Sequence, residues 1–222
     1  MTTAAIMQPY FAPYAGYFRL FAASDLFLIY DCVQFPRRGW VHRNRLPDAN
    51  GVPQWLTLPL RKATRDVAIH DLAFADDAAP RFEAEVRRFP SIHRGALPDE
   101  LEFALQDFSV PPTDYISRTL ERCASLLGLP FRVMRTSSFG LDPGIRGQDR
   151  ILELLRLVGA TRYVNAPGGR ELYDAEAFRA HGVELQFLPP HAGPSWSILH
   201  RLATDSATVI AEEIRRCAMP GA

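Results

Sequence analysis

The sequence predicts an α/β protein: a three-layer, mostly parallel, Rossmann-like sheet carrying a helical insertion. Three observations support this. Short apolar runs rich in β-branched and aromatic residues alternate with helical patterns, the rhythm of a sheet built by crossovers. The first thirty residues read strand, helix, strand, which a right-handed crossover turns into a parallel pair. A length of 222 residues, 47% of them hydrophobic and 23% charged, suits one domain spanning 1–222 with a sizeable core.

The elements follow in order. Ala4–Gln8 is a strand, Tyr14–Ala23 a helix and Leu26–Tyr30 (LFLIY) a second, buried strand. Val41–Leu46 and Trp55–Leu60 are extended and separated by the turn residues Pro47 to Gly51; Val67–Leu72 alternates weakly and is expected as an edge strand. Ala79–Arg88, Leu97–Asp107 and Tyr115–Leu127 have helical patterning, the last stopped by Gly128-Leu129-Pro130. Together, roughly residues 76–128 form a helical insertion or cap. Phe131–Arg135 is a strand, Arg150–Val158 a helix and Arg162–Asn165 a strand, followed by a Pro167-Gly168-Gly169 turn. Asp174–His181 is a helix, Val183–Leu188 a strand, and Trp196–Ala203 and Ser206–Arg216 close the chain as helices.

Composition removes several functions. No run approaches the ~18 apolar residues of a membrane span. The N-terminus lacks a basic and then apolar leader, so a cytoplasmic location is expected. Three cysteines without metal-type spacing fit reduced thiols. A formal net charge of zero argues against bulk binding of nucleic acid or anionic lipid. The chain has 24 arginines and a single lysine, Lys62. No glycine-rich loop precedes Lys62, so a phosphate-loop lysine is absent and bound anions fall to arginine forks.

The most informative peptide is Met7-Gln8-Pro9-Tyr10-Phe11-Ala12-Pro13-Tyr14-Ala15-Gly16-Tyr17-Phe18. Two prolines stiffen it, Gly16 permits close approach, and the tyrosines make it rigid and aromatic at the end of a first strand. That is where open α/β sheets put ligands. The second candidate segment runs from Tyr30 to Arg45. Asp31, the first polar side chain after LFLIY, is placed for a general base or a ligand-orienting carboxylate. Gln34, Arg38, Trp40, His42, Arg43 and Asn44 would bind substrate, the arginines as a fork for carboxylate or phosphate. If extended, Val41, Arg43 and Arg45 share one face, with His42 and Asn44 on the other; a solvated basic hairpin is the competing reading. In the third segment, Asn165 ends a strand, and Gly168 and Gly169 lead towards a helix whose N–H groups would face an anion or acyl oxygen; a plain connection explains the glycines equally well.

Other candidates are weaker. Cys32 lacks an evident base and reads as a small filler. The histidines show no metal-binding spacing, so no metal site is expected. Ser197 reads as a helix cap, and Trp40, Trp55 and Trp196 pack a core unless they stack a sugar or base.

The chain resembles the WbqC-like family of bacterial surface-polysaccharide clusters. Gln8 through Leu20 match its QPYFxPYxGYFxL opening. Asp25, Phe27, Ile29 to Asp31, Val33, Gln34, Arg38 to Trp40 and Arg43 to Arg45 follow its next pattern. Trp55 to Pro59, Gly159-Ala160, Tyr163, Pro167 to Gly169, Leu172, Phe178 and Trp196 to Ile198 continue the likeness. Departures fall at Phe89–Ala96, where the family has Lys-Lys-x-Pro-Tyr, at the shortened Leu188–Ser195 loop, at Cys32, and at His200, where an aspartate is usual.

The resemblance implies a transferase of a small acyl or aminoacyl group, glycyl among them, acting on an amine of a nucleotide-linked amino-sugar or similar small molecule. On that reading Asp31 accepts the amine proton, Gln8 and Asn165 position the acyl carbonyl, Tyr14 and Tyr17 line the pocket, and Arg38 and Arg43 grip the acidic group. The acyl donor is open, a charged tRNA included. Tyr14-Ala15-Gly16-Tyr17 also lies where nucleotidylyltransferases carry H-x-G-H, which by analogy offers an adenylate-forming ligase using ATP and magnesium. A non-catalytic nucleotide-sugar binding or scaffold protein is the third reading.

Overall fold

The apolar runs at the head of the chain and in its second half become the strands of one parallel sheet. A computed structural model describes residues 1–93 and 95–218. In chain order the elements are β1 (Thr3–Met7), α1 (Ala15–Ala22), β2 (Leu26–Ile29) and the strands β3 (Arg43–Pro47) and β4 (Pro53–Thr57). Then come α2 (Ala78–Val86), α3 (Asp99–Gln106), α4 (Pro112–Leu126) and β5 (Val133–Arg135). The chain continues with α5 (Gly147–Leu157), β6 (Arg162–Asn165), α6 (Ala175–Ala180), β7 (Glu184–Phe187), α7 (Ile198–Thr204) and α8 (Ala207–Ala218). The sheet order is β5-β2-β1-β6-β7, with every pairing parallel, and β3–β4 is a separate antiparallel hairpin.

Period-two alternation splits the core into two layers. Ala5, Phe27, Ile29 and Val164 pack with Phe18 and Phe21 of α1, Leu120 and Cys123 of α4, and Ile210 and Ile214 of α8. Ala4, Ile6, Leu28 and Tyr163 face the other way, onto Ile151, Leu154 and Leu155 of α5 and Phe178 of α6. Each such side chain contributes roughly 1.5–3 kcal/mol by leaving water. Helix α4 shows the pattern clearly: Tyr115, Ile116, Thr119, Leu120, Cys123 and Ala124 are buried at helical spacing. Residues Phe82 of α2 and Leu101 of α3 join this same core, so the helical middle shares the sheet's packing.

Several expectations change in detail. Residues 67–72 do not add an edge strand. They make one isolated antiparallel bridge, Ala68 to Gln34, through the Phe35 N–H to Val67 carbonyl and Ile69 N–H to Val33 carbonyl bonds, and the chain then turns into the 3-10 helix Ile69–Asp71. The Pro167-Gly168-Gly169 turn is a 3-10 helix over Pro167–Leu172 that stops before α6. Proline begins α4 at Pro112, three residues ahead of the expected start, where its missing N–H costs nothing.

Candidate functional site

All five sheet strands run the same way, so their carboxyl ends share one rim. The strand order reverses at β1: the chain moves out to β2 and β5, then returns to lay β6 on the other side. The crevice between β1 and β6 is therefore the switch point at which such sheets bind ligands. Gln8 and Asn165 stand at its two lips, directly after β1 and at the end of β6.

The tyrosine-rich bend above this crevice is held in a costly conformation. Ala12 has φ of 43°, a left-handed value that disfavours a residue with a Cβ by about 1–2 kcal/mol. Buried polar groups on distant elements hold it there. Asn44 Nδ2 donates to the Phe11 and Ala12 carbonyls at 3.1 and 2.9 Å, and Ser197 Oγ donates to the Ala12 carbonyl at 2.7 Å. The Ile198 N–H reaches the Pro13 carbonyl at 2.8 Å, and the Phe11 N–H reaches the Trp40 carbonyl at 3.0 Å. Tyr17 is buried, and its hydroxyl donates to the Gln8 carbonyl at 2.8 Å. Burial pushes the Tyr17 phenol well above its ordinary pKa, so it stays a donor.

Two of the expected substrate ligands, Asn44 and Tyr17, hold the bend in place. Asn44 donates both bonds to the bend and accepts the Arg45 N–H through Oδ1 at 2.8 Å. Tyr17 closes the bend from below and does not line an open pocket. Tyr14 is half-buried, its ring packed edge-on to His191 at 5.2 Å between centroids. A Cβ at Gly16 would overlap the Tyr14 ring and come within 2.9 Å of His191, which gives this glycine its reason.

Asp31 is fully buried, and its carboxylate meets four donors. Oδ1 accepts from the Ser137 N–H at 2.8 Å and Thr136 Oγ1 at 3.1 Å; Oδ2 accepts from Arg135 Nε and Ser137 Oγ, both at 2.8 Å. A carboxylate offers about four acceptor sites, and all are taken. Through these contacts Asp31 ties the end of β2 to the end of β5. Its own carbonyl accepts from the His70 backbone N–H at 3.0 Å. Arg135 also donates to Asp114 at 2.6 Å, joining α4 to the rim.

Asn165 and Gln8 behave differently. Asn165 is buried, and its Oδ1 accepts the Ala166 N–H at 2.7 Å. Its Nδ2 donates to no described residue and would lie 2.6 Å from a Cβ at Gly169, so that glycine keeps the amide's surroundings open. Gly168 is exposed beside it. The Gln8 side chain is half-buried and likewise engages no described residue.

The basic arm does not converge on this crevice. Arg43 folds back, donating to the carbonyls of Arg38 and Gly39 at 2.9 and 3.3 Å, and lies 4.1 Å over the Trp55 ring. Arg38, Trp40 and Gln34 are exposed, and Gln34 donates to the Arg65 carbonyl at 2.8 Å. His42 packs against Phe35 at 5.0 Å, whereas Val41, expected on the face of Arg43 and Arg45, is fully buried because β3 begins only at Arg43. Burial, helped by the Arg43 charge, lowers the His42 pKa to about 4, so it is neutral at pH 7. Hollows of about 330 and 510 Å³ lie elsewhere, beside Arg162, Gln186 and Arg215 and beside Arg146, Asp149 and Arg156. Among the described residues no cluster of three or more potential metal ligands occurs, and no helix is long and apolar enough to cross a membrane.

Residues 8–202 match the WbqC-like protein family. The chain belongs to that family. An uncharacterized protein of Mycobacterium tuberculosis, Rv1507c, is 30% identical over 187 residues, which covers 80% of this chain and 78% of the relative. No solved structure matches.

Within this WbqC-like frame, sequence reasoning missed the partners of Asp31. Arg135, Thr136 and Ser137 follow directly on a strand end, which is the signal that would have found them. Ser197 was identified as a cap, and it is one: Oγ accepts the Leu199 N–H at 3.3 Å. Its second task, gripping Ala12, spans 185 residues of chain and has no local signature.

Proposed function

We propose that this WbqC-like protein transfers a small acyl or aminoacyl group to an amine of a nucleotide-linked amino-sugar or similar small molecule, at the β1–β6 switch point. The observation that carries the reading is the contrast at the rim. Asp31, Asn44, Ser197 and Tyr17 are spent on holding the bend and the strand ends, while the amides of Gln8 and Asn165 stay without a described partner. Rigidly framed, unspent amides suit the orientation of an acyl carbonyl and of sugar hydroxyls. The amine nitrogen attacks the acyl carbon and a C–N bond forms. The bond from that carbon to the donor heteroatom breaks, and the departing heteroatom takes the proton the amine releases. Tyr14 flanks the reacting groups, and Gly168 and Gly169 leave room for them. Asp31 is a positioning residue.

The test is a thermal-shift screen of nucleotide-sugars, amino acids, CoA esters and ATP with magnesium on the wild type, Gln8→Ala and Asn165→Ala. A stabilising nucleotide-sugar or acyl donor whose shift is lost in both variants, with their unliganded melting unchanged, supports the proposal. Stabilisation by ATP and magnesium with pyrophosphate release on adding an acid would replace it with a ligase. A ligand shift indifferent to both substitutions would remove the site from the switch point.

A further inference from the structure

The zero net charge conceals a segregation of charge. Residues 34–66 hold seven of the chain's 25 lysine and arginine residues, Lys62 among them, against only two carboxylates, Asp48 and Asp66. Both carboxylates are engaged locally: Asp48 accepts the N–H groups of Asn50 and Val52, and Thr64 hydrogen-bonds to Asp66. Of the seven cations, Arg61 alone pairs with a carboxylate among the described residues, at 2.6 Å from Asp76. Nine arginines outside the segment are in ion pairs. One cation in seven is thus paired with a carboxylate in the segment, against nine of the eighteen arginines outside it.

Contacts within the segment draw its parts together. Arg37 donates to the carbonyls of Ala63 and Thr64, which brings the loop bearing Lys62 and Arg65 against the arm. Arg43 and Arg45 both project from the outer side of β3 and lie 4.1 and 4.6 Å over the Trp55 ring. Trp40 packs against Trp55 at 5.2 Å between ring centroids, and the residue is 39% exposed. An exposed tryptophan at the end of an arginine–tryptophan stack, bordered by unpaired cations, is the chemistry that holds a base by stacking and the flanking phosphates by charge.

We propose that this face docks a single-stranded polynucleotide. A lone diphosphate would need two or three of these cations; the face presents six without a carboxylate partner, together with a stacking ring. The Trp40 carbonyl accepts the Phe11 N–H, which ties the backbone of the stacking residue to the bend that follows β1. Resting on the acyl-transfer reading, the occupant is the unpaired 3′ end of an aminoacylated RNA, which makes RNA the acyl donor.

Fluorescence anisotropy with a 5′-labelled single-stranded RNA dodecamer tests the docking without any acyl transfer. Saturable binding at 50 mM salt is expected, weakening with a log–log salt slope of about −3 for roughly four phosphate contacts. Arg38→Ala with Arg45→Ala should lower the slope by about 1.4, and Trp40→Ala should weaken RNA binding at least fivefold while leaving competition by inorganic polyphosphate unaltered. These side chains are exposed, and circular dichroism confirms that the variants fold. Absence of saturable binding at 50 mM salt overturns the proposal, as does Trp40→Ala without effect or a preference for the duplex of the same sequence. Gln8→Ala should bind RNA as wild type does, so loss of the acyl-transfer reading and loss of this one are told apart.

Discussion

Replacing Asp31 by asparagine separates a structural carboxylate from a chemical one. The amide keeps the shape and volume of the side chain but exchanges one oxygen for an NH2 group. With nitrogen at the Oδ2 position, it confronts Arg135 Nε and Ser137 Oγ, each 2.8 Å away; at Oδ1 it confronts the fixed Ser137 N–H at 2.8 Å and the Thr136 hydroxyl. One orientation forfeits the Arg135 Nε bond and the other the Ser137 N–H bond, while the hydroxyls can turn to accept, and both leave the Arg135 charge to Asp114 alone. A charge-assisted bond contributes about 1.5–3 kcal/mol and a neutral one about 1 kcal/mol, and the buried donors left facing NH2 add desolvation. The expected loss is about 3–5 kcal/mol, a large part of the 5–15 kcal/mol typical of a folded domain. At this chain length it corresponds to a fall in Tm of roughly 10 °C. Urea unfolding at pH 7, followed by circular dichroism, measures it as a lower midpoint at unchanged slope. An Asp31→Asn protein that unfolds within 0.5 kcal/mol of wild type while losing its reaction would refute the reasoning and restore Asp31 as a proton acceptor.

Two further outcomes follow from the same geometry. Gly16→Ala should cost about 1–3 kcal/mol by overpacking, because its Cβ meets the Tyr14 ring and His191; a melting temperature equal to wild type would mean that the ring moves freely. His42 has a folded pKa of about 4, below the ordinary 6.5, so the unfolded chain binds the proton first. Its contribution is intact above about pH 6.5 and is lost as pH falls towards 4. Because the ring is only half-buried, the loss is about 1–2 kcal/mol. His42→Gln should flatten that part of the stability profile, and proton NMR of the His42 ring reads the pKa directly.

What was legible in the chain follows from how local each cause is. LFLIY reads as a buried parallel strand because its apolar run is continuous, and the helix at 115 because six buried positions repeat at helical spacing. The Gln8–Tyr17 peptide announced a stiff aromatic bend through its prolines and tyrosines. Its strain did not show: nothing in the triplet Phe11-Ala12-Pro13 marks Ala12 as left-handed, since that φ is imposed by Asn44 and Ser197 from elsewhere in the chain. Likewise Asp31 as a lone acid after a strand fits a base or an anchor equally well. The choice depends on Thr136 and Ser137, more than a hundred residues away. Residues 67–72 misled because weak alternation does not say how far a pairing extends, and here it stops at the single bridge from Ala68 to Gln34.

The hairpin links the two proposed sites through its register. Arg43 and Arg45 point outward and Asn44 and Leu46 inward, fixed by the pairing of Arg45 with Trp55 and Asn44 with Leu56. Side chains alternate with a period of two, so a slip of one residue would exchange the faces. Two guanidinium groups would then be driven beneath the Ala12 bend, where only carbonyls and apolar rings await them, and the amide that pins the bend would face solvent. The same alternation therefore supplies both the clamp that frames the switch point and the cations that flank Trp55. The turn at Asp48, which accepts the Asn50 and Val52 N–H groups, sets that register within the hairpin itself. Disturbing this turn should accordingly weaken the bend and the cationic face together, although it touches neither.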